Sequence, residues 1–244
     1  MANWQDPRAN GVNAAASVGV PTVARDAGLR SYMLSVYNYM ASGVLLTGIV
    51  ALLFYSSGMA AQVFQGGGFL PWLIILSPLA IVFAMSFGQN RMQTGTLQLL
   101  FWGFATLMGL SMSTIFLRYT GVSIGQTFFA VSAAFMGLSL YGYTTKKDLT
   151  GMGTFLIMGV VGLLVAMVIN IFLQSSAMNM AISAIGVLLF AGLTAYDTQR
   201  IKSMYEHVRG TDMMGKVVIM GALSLYLDFI NMFQFLLSFM GSRD

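Results

Sequence analysis

Along this chain, apolar runs long enough to cross a bilayer alternate with short polar or glycine-rich breaks, and seven such runs follow one another. A hydrocarbon core about 30 Å thick takes roughly 20 residues of helix. The windows 32–55, 69–88, 95–117, 121–143, 151–173, 177–199 and 217–240 meet that length. The first five contain no Asp, Glu, Lys or Arg, and the last two contain only Asp197 and Asp228. Gln65-Gly66-Gly67-Gly68, Gln89-Asn90-Arg91, Lys146-Lys147-Asp148 and the longer segment from Arg200 to Lys216 separate the windows. Connectors this short predict that neighbouring helices form antiparallel hairpins, with the seventh left unpaired. The fold class expected is an all-α integral membrane protein of seven transmembrane helices. Residues 1–30 are expected as a flexible cytoplasmic tail without a cleavable signal, because Asp6, Arg8, Arg25, Asp26 and Arg30 interrupt it, and 31–244 as the membrane domain.

Basic residues orient the windows. With the N-terminus inside, Arg8, Arg25, Arg30, Arg91, Lys146, Lys147, Arg200, Lys202, Arg209 and Lys216 fall on the cytoplasmic side, and only Arg118 and Arg243 outside. That places the C-terminus outside. Composition agrees with a lipid-embedded chain: 57% of residues are apolar and only 8% charged, with a mean hydropathy of +0.77. The net charge of +4 follows from topology. Scattered basic residues with no interleaved aromatic block argue against a nucleic-acid partner. With no cysteine, disulfides, thiolate metal sites and thiol catalysis are excluded. The 20 methionines read as flexible apolar filler, and the one histidine, His207, as a solvated connector residue. Between helices, Ala130 with Ala134 and Ala133 with Gly137 are expected to permit close approach, Asn38, Asn170 and Gln234 to bond across interfaces, and Pro78 to kink the second helix.

The two aspartates are the candidate chemistry. A charge within the bilayer costs several kcal/mol, roughly 2.5 or more on insertion scales, so such a residue faces protein or water and usually acts there. Residues three or four apart share a helix face, so Ser224, Asp228 and Asn231 form a polar stripe on the seventh helix, and Thr194 lies beside Asp197 on the sixth. Both carboxylates are therefore expected to point inward. Their depths match only if the sixth helix runs on to about Arg209, because Asp197 to Arg209 and Lys216 to Asp228 each span twelve positions. Arg200, Lys202 and Glu206 would then stand near a wet cytoplasmic vestibule. Two carboxylates in hydrogen-bonding distance cannot both ionise cheaply, so they share a proton and titrate as one unit. Losing that proton leaves two anions that repel, part their helices and attract a hard cation such as calcium, which would be held transiently by Asp197 and Asp228. The plainer alternative is two protonated carboxyls that only bind helices together.

Three segments, Leu140-Tyr-Gly-Tyr-Thr-Thr-Lys-Lys-Asp-Leu, Leu193-Thr-Ala-Tyr-Asp-Thr-Gln-Arg-Ile-Lys and Leu223-Ser-Leu-Tyr-Leu-Asp-Phe-Ile-Asn-Met-Phe, resemble the bacterial branch of the Bax-inhibitor family over nearly all of the chain after Gly28. The resemblance implies helical hairpins around a central seventh helix. It implies a pH-sensitive calcium leak gated by a pair of aspartates, at the positions of Asp197 and Asp228, in a bacterial inner membrane. It also implies Arg91 as an alternative partner for Asp197. Some members carry an acidic residue midway along the second helix, where this chain has Ser77-Pro78. No enzyme activity and no cofactor are expected. An intramembrane aspartyl protease would share Tyr196-Asp197, but Asp228 follows Leu225-Tyr-Leu where such enzymes have Gly-x-Gly, and no Pro-Ala-Leu turn occurs. A regulator that binds another membrane protein, such as a membrane-bound protease complex, is the alternative function. A proton-coupled transporter is less favoured, because no clear inverted repeat is legible.

Overall fold

A computed structural model describes residues 22–242, which form helices joined by short links. These are α1 (Thr22–Ser56), α2 (Met59–Gln65), α3 (Leu70–Gly88), α4 (Thr94–Met112), α5 (Gly121–Thr144), α6 (Thr150–Leu173), α7 (Ser176–Val208) and α8 (Met213–Met240), with a 3-10 turn, Ser113–Leu117, extending α4. All but the seven-residue α2 are long and apolar enough to span a membrane. The expected windows reappear, to within a residue at most ends, with α1, α7 and α8 running longer. Helix α1 starts at Thr22, so the boundary expected at residue 31 falls inside it, and the rest of the tail lies outside the described residues. Helix α7 runs to Val208 and is closed by Arg209, as depth matching requires.

Local chemistry sets the ends. The Thr120 hydroxyl accepts the Ser123 N–H ahead of α5, and Ser175 accepts the Met178 N–H ahead of α7. Asp148, just before α6, accepts from the Thr150 backbone N–H at 2.9 Å and its hydroxyl at 2.6 Å. Those bonds favour the charged form and hold this carboxyl below the usual carboxylate range.

Packing departs from simple hairpins. Helix α4 lies between α1 and α3, which barely touch each other, and α7 lies between α5 and α6 in the same manner. The two three-helix layers thus share one packing order. Because three spans is an odd number, the second layer runs in the opposite sense to the first. Helix α8 sits between the layers, against α7, α1, α5 and α4, and contributes the largest share of buried residues. The expectation of consecutive hairpins is therefore corrected for α1/α3, α4/α5 and α5/α6, while α3/α4, α6/α7 and α7/α8 do pack as neighbours.

Polar side chains tie the helices together within and between the layers. Tyr226 of α8 shares a 2.6 Å hydrogen bond with Thr47 of α1, which donates to the Ala105 carbonyl of α4 at 2.8 Å. Tyr32 donates to the Ile201 carbonyl at 3.2 Å. Gln199 donates to the Lys147 carbonyl at 2.7 Å and accepts from the Leu149 N–H at 2.9 Å, and Lys202 donates to the Tyr143 carbonyl at 2.7 Å. Asn38 and Gln234, expected in such roles, are exposed instead, and Asn170 accepts locally from the Ser175 N–H.

These contacts gather Arg30, Arg91, Lys146, Lys147, Arg200, Lys202, Arg209 and Lys216 at one end of the bundle, with Arg118 at the other. Lys202 donates to Tyr143 there, so its ammonium is spent on a helix end and not on a vestibule.

Close approach onto α7 comes from glycines other than those expected. Ala130, Ala133, Ala134 and Gly137 face outward, and nothing lies within 4 Å of a Cβ built on Gly137. Gly142 instead lies directly on the Ala195 backbone, and Gly153 on the Tyr196 ring, seating α7 two residues from Asp197. Gly142→Ala should therefore cost about 1–3 kcal/mol by overpacking, while Gly137→Ala should be near neutral. Thermal or denaturant unfolding in detergent reads the difference, and equal stability of the two variants would refute this seat.

Candidate functional site

Helices α7 and α8 are antiparallel neighbours whose register is fixed by contacts on both sides of the aspartates. Outward of them, Ser183 donates to Ser238 at 3.0 Å, and the rings of Phe190 and Phe235 stack at 5.8 Å. Inward, Ile201 packs on Gly221. Phe190 stands seven residues before Asp197 and Phe235 seven after Asp228, about two turns each, so the register that joins the rings brings Asp197 opposite Asp228. Asp197 acts electrostatically on Asp228, and Arg200, one turn on, acts on Asp197.

Their surroundings differ. Asp228 is buried, 4% exposed, and its Oδ2 has no hydrogen-bond partner among the described residues. Asp197 is half-buried beside Thr198, whose hydroxyl reaches Ser139 of α5 at 3.4 Å. The expected supporting face is only partly engaged. Thr194 donates to the Phe190 carbonyl and Asn231 to the Leu227 carbonyl, each at 2.8 Å within its own helix. Ser224 is half-buried on α8. Arg91 is exposed in the turn after α3, a helix that packs chiefly on α4, and no ion pair joins it to Asp197 in this conformation.

A vestibule of about 510 Å³ with a mixed polar and apolar lining opens at the Arg118 end, between α6, α7 and α8. Arg118, Asn170, Asn179, Ser183 and Ser238 line it, and it reaches down to Asn231, one turn from Asp228. No carboxylate lines it. Phe190 and Phe235 stack in the α7–α8 seam and form part of the cavity wall, with Asn231 between Phe235 and Asp228 along α8. Sequence reasoning missed these rings, although their seven-residue offsets from Asp197 and Asp228 carried the signal. Among the described residues no cluster of three or more His, Cys, Asp or Glu side chains occurs.

A family profile described as Inhibitor of apoptosis-promoting Bax1 matches residues 29–244. The chain belongs to this Bax-inhibitor family. It is similar to protein RP147 of Rickettsia prowazekii, with 48% identity over 89% of this chain and 92% of the relative. It is also 47% identical to a Caulobacter vibrioides protein, over 89% of this chain and 91% of that one. Inner membrane protein YbhL of Escherichia coli is 44% identical over 89% of this chain and 94% of its own length. The segments around Asp197 and Asp228, which carried the resemblance in sequence, are those that the α7–α8 seam sets face to face.

The absence of native cysteine makes closure of the seam at the aspartates testable by single-cysteine labelling. Ser238→Cys should react with an impermeant thiol reagent added at the Arg118 side, and Ser224→Cys, beyond the buried Asp228, should not. Ready labelling of Ser224→Cys would refute that closure.

Proposed function

We propose that this Bax-inhibitor protein is a pH-sensitive cation leak of the bacterial inner membrane, with calcium as the transported ion. The observation that carries this reading is a pair of opposed intramembrane carboxyls on the central helix seam, one with a buried oxygen lacking any hydrogen-bond partner. A carboxylate left alone at such a site is strongly penalised, so the pair is held by a shared proton. With the proton bound, α7 and α8 close on each other. With it lost, mutual repulsion loosens the seam and offers oxygen ligands to a hard cation. Two carboxylates supply at most four oxygens, below the six to eight that calcium takes, which suits passage and not storage.

The route we infer runs from the vestibule at the Arg118 end, past Phe190 and Phe235, to the aspartates and then the basic end. Basic residues concentrated at one end support a cytoplasmic location for that end and for the N-terminus, with the C-terminus outside. The inner-membrane assignment draws on YbhL, which is named an inner membrane protein.

Reconstitution into liposomes loaded with a calcium dye tests the proposal. Flux should be low in acid and rise with pH as the pair ionises. Asp197→Asn and Asp228→Asn should each abolish that pH dependence, because an amide cannot lose the proton. Flux that follows the wild-type pH curve in both variants would overturn the gate. Absence of flux at every pH would favour a regulator that works by binding another membrane protein.

A further inference from the structure

Helices α1 and α5 both lean on α8 but scarcely touch each other, and the gap between them is an apolar groove of about 810 Å³. That volume is within the roughly 300–1,000 Å³ typical of ligand sites. Phe229 of α8 forms its floor, with Phe135 edge-on at 5.5 Å and Phe128 at 5.7 Å. The rims are open, with Leu45 64%, Met136 66% and Leu140 63% exposed. At the basic end of the bundle the lining turns polar, with Arg30, Tyr37 and Tyr143. Arg30 is exposed and pairs with no carboxylate among the described residues. The Lys202 ammonium lies 4.7 Å from the centre of the Tyr143 ring, which adds a second positive charge behind the groove.

We propose that this groove is a binding site for one anionic phospholipid, with its phosphate on Arg30 and an acyl chain along Phe135 and Phe229. Three observations carry the choice of occupant. An apolar trench facing hydrocarbon loses contacts if empty and cannot be filled by water, so a lipid chain is its natural filling. From Arg30 to Leu45 the groove runs fifteen residues, about 22 Å of helix. That covers a head-group zone plus one leaflet, about half of a core roughly 30 Å thick. An unpaired guanidinium at the water end, backed by Lys202, selects a phosphate of net negative charge.

The bound lipid would lie against Phe229, the neighbour of Asp228, and beside Ser139, which the Thr198 hydroxyl reaches next to Asp197. It would thereby shield the carboxyl pair on the side facing the bilayer. The binding site itself stands independently of any ion flux.

Native mass spectrometry of the full chain in mild detergent tests the assignment, with phosphatidylglycerol or phosphatidylcholine added in turn. One phosphatidylglycerol should be retained about fivefold more strongly than phosphatidylcholine, the scale of attraction expected of a basic residue near an anionic head group. Arg30→Gln should erase that preference while still retaining lipid. Ala41→Trp, an exposed groove position where a larger ring occupies the trench, should lose both lipids. Glycerol phosphate without acyl chains should not compete. Equal retention of the two lipids by the unmodified chain, or unchanged retention by a folded Ala41→Trp variant, would overturn the proposal. So would a dimer that retains no lipid and that Ala41→Trp dissociates, which would identify a second copy as the occupant.

Discussion

A carboxyl oxygen with no hydrogen-bond partner in the middle of a lipid-embedded bundle is the constraint around which this protein is built. Asp228 is that group, and it sits on the helix that both layers surround. Burial of a lone carboxylate costs far more than a typical interaction returns, so the site is tolerable only if the neighbouring group shares the burden. Asp197 stands opposite in the α7–α8 register and is itself less deeply buried. One member of the pair is buried, and the other is partly open.

The architecture holds that seam from three directions. Gly142 and Gly153 let α5 and α6 press onto α7 at Ala195 and Tyr196, while the Tyr226–Thr47–Ala105 chain ties α8 to the first layer. The Phe190–Phe235 stack joins α7 to α8 outward of the aspartates, and Tyr32 and Lys202 fix α7 near the basic end. A change of charge at the pair therefore acts on helices held by close contacts, where a small separation breaks specific packing. The groove over Phe229 leaves a side of the central helix without a helix wall.

Much of this was legible in the chain because lipid imposes strict rules. Uninterrupted apolar windows locate the spans, and the equal distances from Asp197 to Arg209 and from Lys216 to Asp228 anticipate the long α7. The family resemblance around Asp197 and Asp228 agrees with the profile match over residues 29–244. Lateral order was not legible. Short connectors require consecutive helices to alternate direction but do not make them neighbours, so the insertion of α4 and α7 within their layers follows from side-chain fit. The opposed sense of the two layers resides in packing order and leaves no obvious trace in sequence. Asn38 and Gln234 looked like interhelical glue by type, yet hydrogen bonding depends on which face a helix turns inward. Thr47, Tyr226 and Gln199, the residues that form such bonds, carry no distinguishing pattern in sequence.

The central claim is that Asp197 and Asp228 form one titrating unit. Infrared difference spectra across a pH jump, read at the carboxylic C=O stretch, test it most directly. The account predicts that Asp197→Asn alters the band of Asp228 and that Asp228→Asn alters that of Asp197, because one proton serves both. Two carboxyl bands that titrate separately, each unchanged when the other residue is replaced, would contradict it.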